Sequence, residues 1–437
     1  MPRVGLYTLG CKVSLYETEA VAEAFAKAGF EVCSFDQVCD VYVINTCTVT
    51  AESDAKSRKY IRRAVRKNPS AAVIVIGCYS QRAPEEVASI EGVSAVIGTA
   101  DKMKCVEIAE KIISNSESQA PNLVGSLEHT PFEPMCVENA PRTRAYVKIE
   151  DGCECKCTYC AISAARGPVR SKKPADVISE VEGLYKKGTL EIVLTGIETG
   201  SYGADLEEKY SLAELICELD RRHSCERIRL GSMAPELLTP SFTERVAKTK
   251  IMVPHFHISM QSGSDSVLRG MKRRYNRKMA LDNIERIRQL MPRVMLTADL
   301  MVGFPGESEE DFLDTLRFVR EARLLDAHVF AYSKRAGTPA AEYEDQVDEH
   351  LKRERSARLI AECRAVQSEV LSEVIALGEP LPVILETRKG SLLSGHSDSY
   401  IEVVCESKRD RRGELVFVKP LRQENGVVWG EILENDN

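Results

Sequence analysis

Four cysteines crowd into ten residues, and three of them are spaced for one cluster: Asp151-Gly-Cys-Glu-Cys-Lys-Cys-Thr-Tyr-Cys160 contains the spacing Cys153-x3-Cys157-x2-Cys160. Three thiolates on one tight loop can hold three irons of a [4Fe–4S] cube, because such clusters are carried on cysteine sulfur. The fourth iron then lacks a protein ligand in the motif and stays open to a small molecule. A zinc site competes for the same residues. It would need a fourth ligand and usually a second Cys-x2-Cys knuckle, and no second knuckle lies nearby. Cys155 sits inside the run and complicates the spacing; it is read as a bystander.

Cys11, Cys47 and Cys78 are far apart in sequence, but each lies just past a strand-like segment, in Thr8-Leu-Gly-Cys11, Asn45-Thr-Cys47 and Gly77-Cys78. Strands of a parallel sheet bring their C-terminal ends to one edge, where ligands bind. Three cysteines at three such ends can converge on a second cluster. Gly10 and Gly77 let backbone approach it closely. Taken singly, each is better read as an unpaired thiol; the convergence is what favours a site.

The elements that must position these residues follow from periodicity. Over the first ~110 residues strands (Arg3–Leu9, Val41–Asn45, Ala72–Gly77) alternate with helical patterns (Tyr16–Gly29, Ser53–Lys67), the signature of a parallel sheet covered by helices. The pattern fails from Ser114 to Arg144, where Ser, Asn and Pro dominate, which predicts a linker. Six further strand–helix units follow, with strands at Ala145–Ile149, Glu191–Thr195, Arg227–Gly231, His255–Met260, Val294–Met301 and Asp326–Tyr332; they predict an incomplete parallel barrel. The Cys153 loop follows its first strand, at the face where such barrels assemble their sites. A long charged helix from Glu349 to Ala376 leads to short β segments separated by turns (Leu381–Glu386, Tyr400–Cys405, Glu414–Val418, Val427–Leu433), which predict a small antiparallel barrel. The expected organisation is 1–113, a linker at 114–142, a core at 143–372 and a last domain at 373–437.

The 437 residues carry a net charge of −7 and a pI near 5.7, so the chain as a whole is no polycation. Contacts to nucleic acid must come from local basic runs. Candidates are Arg58, Lys59, Arg62, Arg63, Arg66 and Lys67, then Arg269, Lys272, Arg273 and Arg274, then Lys408-Arg-Asp-Arg-Arg412. Each is equally readable as a solvated face. The last domain (377–437) holds eight basic and eleven acidic residues, a balance of about −3. No stretch approaches the ~18 apolar residues of a membrane span, and the N-terminus lacks the order of a signal peptide. Fifteen cysteines in so long a chain then point to metal or catalytic use in a reducing, cytoplasmic setting, with six as ligands and about nine having no special role.

Several of these motifs together resemble the radical S-adenosylmethionine (SAM) methylthiotransferases. They are Thr8-Leu-Gly-Cys-Lys-Val, Asn45-Thr-Cys-Thr-Val-Thr50, Gly77-Cys-Tyr-Ser-Gln81, Asp151-Gly-Cys, Leu194-Thr-Gly-Ile-Glu-Thr-Gly-Ser-Tyr-Gly203, His257-Ile-Ser-Met-Gln-Ser-Gly263 and Asp299-Leu-Met-Val-Gly-Phe-Pro-Gly-Glu307. Cys11-Lys-Val and Cys47-Thr-Val-Thr look like the branch acting on N6-threonylcarbamoyladenosine beside the tRNA anticodon; Ser14 departs from the usual Asn. The resemblance covers essentially the whole chain. It implies an α/β protein with an N-terminal flavodoxin-like parallel sheet carrying one cluster, a central partial (β/α)6 radical SAM barrel and a C-terminal antiparallel β-barrel of TRAM type that binds RNA.

The resemblance further implies two [4Fe–4S] clusters and SAM. The cluster on Cys153, Cys157 and Cys160 would cleave SAM, and the resulting radical would remove hydrogen from C2 of the adenine. The cluster on Cys11, Cys47 and Cys78 would supply sulfur, and a second SAM the methyl group. Tyr159 is the aromatic expected beside the adenine of SAM, and Thr195, Gly196 and Glu198 are expected near its amino group. Gln261 and Asp299 are candidate polar contacts, and Gly303-Phe-Pro-Gly306 a candidate floor. Implied partners are tRNA, a reducing donor such as flavodoxin or ferredoxin, and a sulfur donor. Two related enzymes, acting on isopentenyladenosine in tRNA or on a ribosomal protein, remain alternatives. So does a non-enzymatic iron–sulfur protein that binds RNA or carries electrons, although closed electron-transfer clusters normally take four cysteines.

Overall fold

The computed structural model describes residues 1–114, 122–140 and 143–433. The first sheet is built from six parallel strands: β1 (Arg3–Thr8), β2 (Glu31–Cys33), β3 (Val41–Thr46), β4 (Ala72–Gly77), β5 (Ala95–Ile97) and β6 (Asn122–Leu123), in the order β2-β1-β3-β4-β5-β6. β3 and β4 read VYVINT and AVIVIG and are buried at every residue, as central strands covered on both faces must be. Helices Lys12–Lys27 and Ala51–Lys67 cover the sheet. The second is capped by Thr50, whose hydroxyl accepts from Ser53 N at 3.1 Å.

The segment expected to be a linker does more than connect. Residues 115–121 and 141–142 of it lie outside the described residues. In the rest, β6 adds an edge strand to the first sheet, and Met135 and Val137 are buried against Tyr16.

The core has six parallel strands in two halves. β7 (Arg144–Lys148) pairs with β10 (Glu191–Thr195) and β10 with β11 (Arg227–Leu230). A short ribbon of β8 (Glu150–Asp151) and β9 (Arg170–Ser171) holds the ends of the cysteine loop together. β12 (His255–Gln261) pairs with β13 (Met295–Val302) and β13 with β14 (Asp326–Ala331). Two isolated parallel bridges, Ile228 to Met252 and Met233 to Ile258, join the halves into one open barrel.

The 29-residue helix Glu349–Leu377 leads to a closed barrel of β15 (Leu381–Lys389), β16 (Leu392–Ser397), β17 (Glu402–Glu406), β18 (Leu415–Glu424) and β19 (Val427–Ile432), ordered β15-β16-β17-β19-β18. Its pairs are antiparallel except β17–β19, which run parallel. One apolar cluster runs from Val147 through Leu359 and Val366 to Val383 and Val428, so core and barrel share a hydrophobic interior. The barrel docks at the N-terminal ends of the core strands. Arg144, the first residue of β7, meets Glu386 at 2.9 Å; Arg227, the first of β11, donates to Pro382 O at 3.0 Å. Tyr400 stacks on His255 and His396 at 4.7 and 4.9 Å. The opposite, C-terminal strand ends are left to the cysteines.

Candidate functional site: two sets of cysteines joined by a buried charge network

β1, β3 and β4 are neighbours in register, with Thr8 opposite Asn45 and Thr46 opposite Gly77. Their chains leave the sheet together, so Cys11, Cys47 and Cys78 emerge at one edge. Cys11 is the N-cap of helix Lys12–Lys27, and Cys78 opens helix Cys78–Arg82. A Cβ on Gly10 would lie 3.3 Å from Cys47 Cβ. Gly77 has φ +101°, and a Cβ there would meet Asn45 Oδ1 at 2.4 Å; no side chain fits. Burial pushes the Cys78 thiol up to about 11 against the pull of Arg166, and Cys11 and Cys47 add to the rise. The three thiols therefore sense one another's charge.

The Cys153 loop hangs from the β8–β9 ribbon. Cys153 N donates to Gly167 O at 3.0 Å and Cys160 N to Cys157 O at 3.1 Å. Gly152 (φ +91°) passes so close to Pro168 that a Cβ would sit 1.9 Å from its carbonyl oxygen. Cys157 Sγ accepts from Arg273 Nη1 at 3.2 Å and Cys160 Sγ from Ile162 N at 3.4 Å. Cys155 is no distant bystander in geometry. It shares a hydrogen bond with Cys153 that draws Cys155 down to about 6 and Cys153 upward.

Among the described residues no three His, Cys, Asp or Glu stand close enough to hold a single metal ion. A four-iron cube spreads its thiolates wider than one ion does. The sets Cys11, Cys47, Cys78 and Cys153, Cys157, Cys160, with Cys155 beside the second, have the donor chemistry of cubes that leave one iron open.

Tyr159 packs into an apolar patch with Val267, Met271, Met301, Phe304 and Tyr332, and burial pushes its hydroxyl well up. Thr195 ends β10, and Gly196 passes over Glu150, whose Oε2 would lie 2.3 Å from a Cβ. The same oxygen accepts from Glu198 N at 2.9 Å. Glu150 Oε1 is buried without a partner among the described residues. Glu198 faces the cysteine loop, and burial, then Cys155, pushes its carboxyl up to about 8. Gln261 closes β12 at a register shift with φ +66°, a costly conformation for a residue with a side chain. Asp299 lies on β13. His257 Nε2 and His328 Nδ1 bond it at 3.1 and 3.2 Å; burial raises its carboxyl, but the two histidines outweigh that and hold it low. With Arg229 and Arg144 it is a charged neighbour of Lys12, on the Cys11 side.

Residues that spacing could not reveal tie the two cysteine sets together. Arg166, on helix Ile162–Arg166, is fully buried. Its Nε donates to Cys78 Sγ at 3.1 Å, and its Nη1 to Glu17 Oε1 at 2.6 Å and Asp151 Oδ2 at 3.2 Å. Lys148 reaches the same Glu17 (2.8 Å) and Asp151 (2.6 Å), and Lys102 reaches Glu17 at 3.1 Å. Only their placement inside a hydrophobic pattern hinted at this, Glu17 and Lys148 being charges at positions that periodicity would give to the core.

The basic runs differ in their surroundings. Arg273 is a thiol partner with Nε on Tyr275 Oη at 2.9 Å, not part of a solvated stretch. Arg58 is held by Tyr79 and Glu86, while Arg58, Arg62 and Arg66 line a shallow groove beside Glu86 and Ile90. In the last barrel Lys408, Arg409, Arg422 and Trp429 line a cleft of about 740 Å3, with the Arg422 guanidinium 4.6 Å from the indole centre.

This open parallel barrel with its cysteine loop has the architecture of the radical SAM superfamily, whose signature matches residues 147–319, while that of an uncharacterized protein family, UPF0004, matches residues 3–98. A solved radical SAM methyltransferase, TsrM from Kitasatospora setae, shares the fold at TM-score 0.59 and 16% identity, over 84% of this chain and 89% of that one. The threonylcarbamoyladenosine tRNA methylthiotransferase MtaB of Bacillus subtilis (strain 168) is 42% identical over 97% of this chain and 94% of its own length. A tRNA-2-methylthio-N6-dimethylallyladenosine synthase of Parafrankia sp. (strain EAN1pec) is 34% identical over 98% and 86%. The chain belongs to the tRNA methylthiotransferase family.

Proposed function

We propose that this protein converts N6-threonylcarbamoyladenosine next to the tRNA anticodon into its 2-methylthio derivative. The observation that carries the choice of base is the near full-length match at 42% identity to the Bacillus subtilis enzyme. When bound, a [4Fe–4S] cluster on Cys153, Cys157 and Cys160 with SAM supplies the radical chemistry, and a second on Cys11, Cys47 and Cys78 supplies the sulfur. An aromatic C–H offers no acidic proton to a general base, which is why such cofactors are required.

The chain's own groups bind, orient and shield. Tyr159, Met271 and Phe304 make a dry wall beside the loop, which protects reactive species from water. Gly196 leaves its backbone open toward Glu150, and the unpartnered Glu150 Oε1 and the Glu198 carboxyl offer acceptors for an ammonium group. Arg273 steadies the Cys157 arm. Asp299 and Gln261 are assigned as further polar contacts. The Lys408, Arg409, Arg422 and Trp429 cleft of the TRAM-type barrel suits RNA, with cations for phosphate and an indole for stacking. A flavodoxin or ferredoxin is the reductant of choice, and a sulfur donor restores the second cluster. No described helix is long and apolar enough to cross a membrane, and the reading places the protein in the cytoplasm with its tRNA.

The test is anaerobic reconstitution, followed by incubation with SAM, reductant and tRNA carrying threonylcarbamoyladenosine. The expected result is the methylthio nucleoside and 5′-deoxyadenosine, with about eight irons per chain. Modification of isopentenyladenosine tRNA alone would move the substrate to the other branch. Loaded protein that yields neither product would leave an iron–sulfur protein without this activity.

A further inference from the structure

Arg166 stands six residues beyond Cys160 yet bonds to a cysteine of the other set, 88 positions upstream in the chain, through Nε at 3.1 Å. Its remaining donors are committed to Glu17, on the helix that Cys11 caps, and to Asp151, at the root of the Cys153 loop. One guanidinium therefore touches elements that carry Cys11, Cys78 and Cys153. Only the planar fork of arginine can serve three such acceptors at once; a lysine ammonium offers a single point charge.

The guanidinium sits in a buried cluster of charged side chains. Arg166, Lys148, Lys102 and Arg170 face Glu17, Asp151 and Glu133, and Glu150, buried beside Lys148 and Asp151, adds a fourth carboxyl. All eight are buried or nearly so, and a buried charge left unpaired is costly. The Nε–H of Arg166 is the donor left over for Cys78, at 3.1 Å.

We infer that Arg166 is a positioning residue for the N-terminal cluster, fixing Cys78 Sγ by an N–H···S bond and raising the reduction potential of the cluster bound there. The physical basis is general. Hydrogen bonds to cluster sulfurs and nearby positive charge favour the more negative, reduced form. The bond also fixes the second cluster relative to the SAM loop, because the same guanidinium grips Asp151. The inference rests on the reading of Cys11, Cys47 and Cys78 as cluster ligands.

The experiment uses the full chain with Cys153→Ala, Cys157→Ala and Cys160→Ala, so that only the N-terminal cluster assembles. Grown with 15N-arginine and reduced, it is expected to show a 15N hyperfine coupling in pulsed EPR. The same chain with Arg166→Gln and Glu17→Gln, which removes one charge of each sign, is expected to lose that coupling. Its midpoint potential is expected to shift negative at unchanged iron content. Arg166→Lys is expected to lose the coupling and keep part of the potential. A reduced cluster without arginine nitrogen coupling overturns the inference even if no variant folds, and so does an iron-loaded double variant with the parental potential. A parent that binds no four-iron cluster defeats the ligand reading itself and this inference with it, and is told apart by its iron content.

Discussion

Arg273 Nη1 donates to Cys157 Sγ across 3.2 Å while its Nη2 bonds the carbonyl of Ser259 at 3.0 Å. The middle cysteine of the loop is thus anchored to the end of β12 from across the barrel. Groups that orient metal ligands typically contribute about 10–100-fold to affinity or activity. Arg273→Gln is expected to lower 5′-deoxyadenosine formation by about that factor, with iron lost from the Cys153 loop first. Parental rates in the variant would show that the contact does not matter for the loop.

Cys155 tests the choice of loop ligands. Its hydrogen bond with Cys153 draws its thiol down to about 6, so in apo-protein at neutral pH it is expected to be alkylated ahead of the other cysteines, as thiolates are. Cys155→Ser is expected to retain iron and activity, whereas Cys157→Ser loses both. Loss of the cluster in Cys155→Ser, read by iron analysis and EPR, would make Cys155 a ligand.

Gly77 separates backbone geometry from chemistry. Its φ of +101° and the 2.4 Å approach to Asn45 Oδ1 leave no room for a methyl group. Gly77→Ala is expected to cost about 1–3 kcal/mol, read by urea unfolding, and to remove iron selectively from the N-terminal site. The Cys153 loop, on another sheet, is expected to stay loaded.

Asp311 supplies a pH dependence. Burial raises its carboxyl, but hydrogen bonds from Ser264, Ser266 and Ser308 win and hold it at about 2. A carboxylate depressed below its unfolded value of about 3.9 stabilises the fold above that pH and loses the effect as pH falls toward 2. The group is partly exposed, so the contribution is discounted to about 1 kcal/mol, the scale of a helix cap. Asp311→Asn is expected to lose this at pH 7 and to match the parent near pH 2, measured by denaturant unfolding across pH.

Trp429 and its basic neighbours test the RNA surface. Stacking of a base on an aromatic ring contributes about 1–3 kcal/mol, so Trp429→Ala is expected to raise KM for tRNA roughly tenfold or more with kcat little changed. Lys408→Ala is expected to reduce the salt slope of tRNA binding by about one. Unchanged binding in both variants would place the RNA elsewhere, the Arg58, Arg62 and Arg66 groove being the next surface to examine.

The elements that positioned the cysteines were largely legible. The buried strands VYVINT and AVIVIG are apolar runs bounded by turn signals, and each ends directly at its cysteine. Short pieces were not legible: β2 and β5 have three residues each, too few for a period to register. β16 reads LLSGHS and is missed because of its glycine; Gly395 lies so close to β15 that a Cβ would sit 1.9 Å from Ile384 O, so only glycine permits the pairing. The segment 114–142 looked like a linker because its composition is polar, and composition does not show Met135 and Val137 finding burial against another element.

By itself the sequence determined where thiolates stand along the chain and which strands deliver them, because ligand spacing and hydrophobic period are local properties. It also carried the family through motifs spread over its whole length. What only the tertiary structure decided is what surrounds those thiolates. Arg166 meets Cys78, Glu17 meets Lys102, and Arg273 meets Cys157 across long sequence separations. Such pairs form because burying one charge forces the packing elements to bring its partner, and that requirement leaves no repeat or spacing in the sequence to read.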